Sequence, residues 1–276
     1  MAGEAAGAVA ASVPAAVAGA ALEALAAATP AVAGRRAVGD SMIDRLTELV
    51  EKLRGAYGDR LVSVTLYGSA AGDDHHRKFS DVNVLCVLRE ITPRELGDSE
   101  PVFRWWRDLG NRPPLLLSEE EASTSSDCFP MEFQDMKMRR RVLYGKDVID
   151  GIEIDRSFYR AQVEHELRAK LLRLRQRAAA VLSNNDQLLR LMVESLSTFC
   201  VLARHGMSLA GSEVAASKAE VIERLSETGA NPEPFRTLLA IREGKVRSRD
   251  VEPTPLFADY LKSVEGIVGY VDRLEK

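Results

Sequence analysis

The chain has 276 residues, of which 46% are hydrophobic, and its formal net charge is −4. This length suffices for two modest cores, and the acidic balance argues against a protein that mainly coats nucleic acid, because such binding depends on phosphate neutralisation. Cys86, Cys128 and Cys200 are odd in number and far apart, which argues against a disulfide framework and favours reduced thiols in a cytoplasm.

Alanine dominates the first segment, residues 1–38. The segment has no basic region at its start, Glu23 falls within its apolar run, and Pro14 and Pro30 interrupt any continuous helix. These features predict a flexible tail rather than an export signal or a membrane anchor. No other apolar run approaches the roughly 20 residues that span a bilayer, so no membrane segment is predicted.

Periodicity predicts mixed secondary structure after this tail. Apolar residues that recur at spacings of three and four from Ile43 to Leu53 predict a helix, which Asp40 or Ser41 can cap. Residues 61–67 then alternate between apolar and polar, which predicts a half-buried strand. Further strands are predicted at residues 81–88, 115–117, 129–136 and 141–144, and a helix start is predicted at 119–121.

From Asp155 onward the pattern is helical, beginning with a stripe of Leu167, Leu171, Leu174, Ala178 and Val181. Further helices are predicted at residues 186–205, 213–228, 233–242 and 255–274. The predicted fold class is therefore α+β, with a small mixed sheet and helices over residues 39–150 and an all-α helical bundle over residues 151–276.

The segment around Gly68 carries the most specific chemical signal. A strand that ends in Gly68-Ser69 lets the backbone approach a phosphate closely. Period-two geometry places Asp81 and Asn83 on one face of the next strand, and two oxygen ligands side by side can hold a hard cation. Together these features predict a site for a metal–triphosphate.

The stretch LYGSAAGDDHHRKFSDVNVLCVL resembles the signature of the polymerase β-like nucleotidyltransferase superfamily, in which Gly-Ser is followed by Asp-x-Asp or Asp-x-Glu. Gly68, Ser69 and Asp81 match, whereas Asn83 stands in the place of the second carboxylate. The stretches FPMEFQDMK and RRRVLYGKDV are similar to segments of small-molecule nucleotidyltransferases of the aminoglycoside or kanamycin type. Glu132 takes the position of the third carboxylate, which the family carries on a later strand.

This resemblance implies transfer of a nucleoside monophosphate from an NTP, with Mg²⁺ or Mn²⁺, to a hydroxyl of a small molecule or protein. It assigns Asp81, Asn83 and Glu132 to metal binding, and Asp81 and Glu132 to catalysis. Gly68 and Ser69 would bind phosphate. Lys170 and Arg173 are also candidates for phosphate binding, as a bundle lysine is in some relatives, although both fit a solvated helix face as well.

Asn83 supports a second hypothesis. An amide in place of a carboxylate removes one negative charge from a site that is meant to hold two dications. Under this hypothesis the chain is a nucleotide-binding or partner-binding module that transfers nothing. The sequence is compatible both with a homodimer and with a protein partner. Asp135 is the alternative to Glu132, because the predicted strand places the two acids on opposite faces.

Overall fold

The computed structural model describes residues 42–71, 82–212 and 217–274. The predicted tail and Asp81 lie outside these ranges. The chain divides between Ile154 and Asp155 into two compact units. The first unit contains both strands and helices and the second is helical, which confirms the predicted α+β class.

A four-stranded sheet forms the centre of the N-terminal unit. Its strand order is β3-β2-β1-β4, with β1 antiparallel to β2 and β4, and β3 parallel to β2. The strands are β1 (Leu61–Tyr67), β2 (Asn83–Leu88), β3 (Leu115–Ser118) and β4 (Arg140–Gly145), and the helices are α1 (Met42–Tyr57), α2 (Pro93–Asp108), α3 (Glu119–Thr124) and α4 (Pro130–Met138).

Both faces of this sheet are covered. Helices α1 and α2 pack on one face, where Val82, Val84, Cys86 and Leu88 are buried as predicted. The other face is covered by α4 and by the chain that follows β4. The prediction that β1 is half-buried is therefore wrong, since its polar face lies beneath that second layer. The hydroxyl of Ser63 is accommodated there because it donates to the carbonyl of Lys146 at 2.7 Å.

The predicted strand at residues 129–136 is also wrong, because this segment forms helix α4. Pro130 lies in the first turn, where its missing N–H costs no intrahelical hydrogen bond. Phe133 and Met136, which follow one another at helical spacing, are both buried against the sheet. Because residues three apart share one face of a helix but lie on opposite faces of a strand, burial of both side chains against the sheet favours the helix.

A buried carboxylate fixes the start of α2. Glu95 is 2% exposed and accepts hydrogen bonds from the hydroxyl of Thr92 and from the Thr92 N–H, the latter at 3.1 Å. The guanidinium of Arg60, which comes just before β1, also binds Glu95 and reaches Asp98 at 2.6 Å. The carboxylate therefore joins the start of α2 to the start of β1.

This network predicts acid sensitivity. The Thr92 hydroxyl and Arg60 hold the pKa of Glu95 at about 2, below its ordinary value of 4.5. A group with a depressed folded-state pKa stabilises the fold above its ordinary pKa and loses that contribution as the pH falls towards the folded value. We expect Glu95→Gln to be less stable than wild type at pH 7, and the difference in unfolding free energy to disappear between about pH 4.5 and pH 2. Urea unfolding across this pH range measures that difference, and a difference independent of pH would contradict the prediction.

The C-terminal unit is a helical bundle. Leu167, Leu171, Leu174 and Ala178 are buried as predicted, whereas Val181 follows the helix end and is partly exposed. Among the helices of the described ranges, none combines the length and apolar character that crossing a bilayer requires. The helices are α5 (Tyr159–Ala179), α6 (Asn185–Leu209), α7 (Lys218–Glu223), α8 (Glu233–Arg242) and α9 (Pro253–Asp272).

The core of this bundle lies between α5, α6 and α9. The hydroxyl of Tyr159 and Nδ1 of His205 form a buried hydrogen bond of 2.6 Å. Phe199 packs edge-on against Tyr260. The helix predicted over residues 213–228 is shorter where it is described, because α7 ends at Glu223 and a 3₁₀ turn occupies Leu225–Thr228.

Candidate functional site

One edge of the sheet brings together the residues of the sequence motif. Tyr67, the last residue of β1, pairs with Asn83 at the start of β2 and with Arg140 at the start of β4. The 3₁₀ turn Gly68–Ala71, which includes Ser69, follows directly. The turn and the first residue of β2 therefore lie at the same edge.

Gly68 is required at this position by its conformation and its surroundings. Its φ of +76° lies in the left-handed region, and a Cβ placed on it would be 3.3 Å from Nδ2 of Asn83. Its N–H donates to the carbonyl of Arg139 at 3.0 Å. The Gly68 backbone is thus fixed, with the Asn83 side chain packed against it.

Two carboxylates approach the same edge from α4. Glu132 and Asp135 are one helical turn apart and so project from one side of α4, which corrects the expectation that they lie on opposite faces of a strand. Burial raises the pKa of the Tyr67 phenol to about 12, and both carboxylates raise it while Arg112 lowers it. Both acids and Arg112 therefore lie in the electrostatic environment of Tyr67.

The later strands do not carry the expected third carboxylate. Strand β3, which pairs with β2 through Leu115 and Leu85, has the sequence LLLS, and β4 has the sequence RRVLYG. Neither strand contains an acidic residue. Glu132 therefore comes from a helix, and the expected strand position is wrong. In the described part of the chain, His, Cys, Asp and Glu form no group of three or more that is arranged to hold a metal.

Sequence reasoning did not identify Tyr67 or Arg112 as residues of this edge, and it kept Asp135 only as the alternative to Glu132. Tyr67 lies directly before the Gly-Ser motif. The interpretation of α4 as a strand placed Glu132 and Asp135 on opposite faces, so that only one of the two could join the site. Arg112 precedes Pro113-Pro114, the proline pair directly before β3. This proline pair, which marks the approach to β3, is the sequence feature that could have drawn attention to Arg112.

Lys170 and Arg173 lie on α5, in the C-terminal unit. Burial lowers the pKa of Lys170, and the charge of Arg173 lowers it further. The Lys170 ammonium is 3.5 Å from the carboxylate of Glu166, which is the i,i+4 pair that the sequence predicted. A role of either cation in phosphate binding stays a prediction.

No protein-family model and no curated protein matches the sequence. A solved structure that matches is the crystal structure of spectinomycin adenyltransferase AAD(9) from Enterococcus faecialis with ATP and spectinomycin. Its TM-score is 0.52 at 12% sequence identity, and the match covers 83% of this chain and 99% of that chain. The chain therefore shares the fold of this spectinomycin adenyltransferase.

Proposed function

We propose that this chain is a nucleotidyltransferase, which binds an NTP with Mg²⁺ or Mn²⁺ beside Gly68 and transfers the nucleoside monophosphate to a hydroxyl of a small molecule or protein. The observation that carries this proposal is the glycine turn packed against Asn83, because the absence of a Cβ at Gly68 lets the backbone approach a phosphate closely. The AAD(9) structure contains ATP and spectinomycin. These two compounds are therefore the first substrates to test.

The side chains available here are of the chemical type that binds a hard cation. Mg²⁺ prefers oxygen ligands, and Asp81, Asn83 and Glu132 offer two carboxylates and one amide oxygen. When bound, the metal would neutralise phosphate charge. Glu132 would accept the proton of the attacking hydroxyl, with Asp135 on the same side of α4 as the alternative. The hydroxyl oxygen forms a bond to the α-phosphorus, the bond to the bridging oxygen breaks, and pyrophosphate leaves.

A second candidate function, nucleotide binding without transfer, is supported by Asn83 and by the absence of acids from β3 and β4. Each carboxylate missing from the metal site reduces the charge available to hold two dications. In this case the chain acts as a nucleotide sensor or as one part of a complex with a protein partner.

Loss of the Asp81 carboxylate tests the proposed transfer. We expect wild type to transfer label from ATP, GTP, CTP or UTP with Mg²⁺ or Mn²⁺, using spectinomycin or a cell extract as acceptor. Asp81→Ala should lower the rate by at least about a hundredfold, because it removes a charged metal ligand. Asp59→Ala is the matched control. Asp59 is exposed next to the start of β1, and the Gly68 turn follows the other end of that strand.

The same assay separates the two candidate functions. Nucleotide that raises the melting temperature of wild type without any label transfer would contradict the proposed reaction and favour the binding module. Equal transfer by wild type and Asp81→Ala would remove Asp81 from the site.

A further inference from the structure

The connection between α2 and β3 leads to the same sheet edge as the glycine turn. Leu115, the first residue of β3, pairs in parallel with Leu85 of β2. Asn83 lies two residues before Leu85, and Pro113 lies two residues before Leu115. Arg112 comes immediately before Pro113. Because parallel strands begin at the same edge, Arg112 and Asn83 both lie where β2 and β3 start.

The backbone on both sides of Arg112 is held in place. On one side, the backbone N–H and the side-chain Nδ2 of Asn111 each donate to the carbonyl of Trp106 at 3.4 Å. On the other side, Pro113 and Pro114 fix their φ angles, and Pro114 is buried. The exposed side chain of Arg112 therefore extends from an ordered backbone, which lowers the entropic cost of binding a ligand through it.

The charge of Arg112 acts at the end of β1. Its guanidinium lowers the pKa of the Tyr67 phenol, in opposition to Glu132 and Asp135.

We propose that Arg112 binds the β- and γ-phosphates of the nucleotide at the glycine turn, an inference that rests on the nucleotide site of the proposed function. A guanidinium donates two parallel hydrogen bonds to a phosphate, a geometry that lysine cannot reproduce. In this arrangement the Gly68 turn and Arg112 contact the triphosphate, and the carboxylates of α4 lie with the metal. Arg112 thereby distinguishes a nucleoside triphosphate from a monophosphate.

Titration calorimetry with Mg²⁺ and either ATP, AMP or inorganic tripolyphosphate tests this proposal. We expect Arg112→Gln to weaken ATP and tripolyphosphate binding by roughly tenfold to a hundredfold, and to leave AMP binding within about twofold. Arg112→Lys should fall between Arg112→Gln and wild type, because it keeps the charge and loses the paired hydrogen bonds. Arg89→Gln is the control, since Arg89 is exposed just after β2, at the far end of that strand.

Unchanged ATP affinity in Arg112→Gln, or equal weakening of ATP and AMP, would overturn the proposal. A melting curve identifies an unfolded Arg112→Gln variant, and the comparison then uses Arg112→Lys alone. Wild type that binds ATP through Arg112 but transfers no label would overturn the transfer reaction and leave the role of Arg112 in place. Wild type that binds none of the three probes would overturn both.

Discussion

The variant Asn83→Asp is expected to transfer nucleoside monophosphate at least about tenfold faster than wild type. The substitution restores a negative charge at the start of β2, beside the Gly68 turn, where the resemblance places the second metal carboxylate. Asp has the same shape as Asn, so the packing of this side chain against Gly68 is retained. Transfer of label from ATP at increasing Mg²⁺ measures the effect, and the variant should reach half-maximal rate at lower Mg²⁺.

A matched substitution controls for the added charge. Asn184 caps the start of α6 by accepting from the N–H of Gln187 at 3.0 Å, and aspartate is an equally good cap. Asn184→Asp should therefore leave transfer unchanged. Activity that appears only in Asn83→Asp would identify the natural chain as a binding module, and equal rates in wild type and Asn83→Asp would remove Asn83 from the metal site.

Replacement of Gly145 is expected to have the largest effect on stability. This residue ends β4 with a φ of +75°, and an added Cβ would lie 2.0 Å from the carbonyl oxygen of Val62. Both the left-handed conformation and the contact with backbone oppose any side chain, and β1 cannot move away because it is buried on both faces. We expect Gly145→Ala to lower the free energy of unfolding by about 3 kcal/mol or more, as measured by urea denaturation.

Gly55→Ala provides the comparison for that measurement. Gly55 lies within α1, and an added Cβ would meet no atom within 4 Å. Alanine is favoured over glycine inside a helix, so this variant should gain roughly 0.5–1 kcal/mol. If both variants unfolded at the wild-type urea concentration, the close approach of β4 to β1 at Gly145 would be incorrect.

Strong periodicity made much of the fold predictable. The alternation of Val82, Val84, Cys86 and Leu88 identified one buried face of β2, and the stripe on α5 identified its core side. Helix α4 could not be predicted in the same way, because its nine residues and the three buried ones among them, Pro130, Phe133 and Met136, span too few turns to establish a period. Packing against the sheet, which the local sequence does not report, selects the helix.

The residues of the candidate site also divide into those that a local pattern predicts and those that only long-range packing brings together. Gly68 and Asn83 were predictable because a motif with local geometry connects them, and the structure brings them into contact. Arg112 and Asp135 reach the edge only through the strand order β3-β2-β1-β4 and through the position of α4 over the sheet. Such long-range arrangements depend on burial summed over many residues and leave no pattern within a short window.

The hydrogen bond from Gly68 to Arg139 has a consequence for how the two parts of the site respond to a ligand. Arg139 is the single residue between α4 and β4, so one backbone bond connects the glycine turn to the helix that carries Glu132 and Asp135. We expect a shift of α4 along its axis to move the turn with it. If the turn binds phosphate and α4 supplies the proton acceptor, as proposed, a substitution that loosens α4 is expected to alter phosphate affinity and transfer rate together.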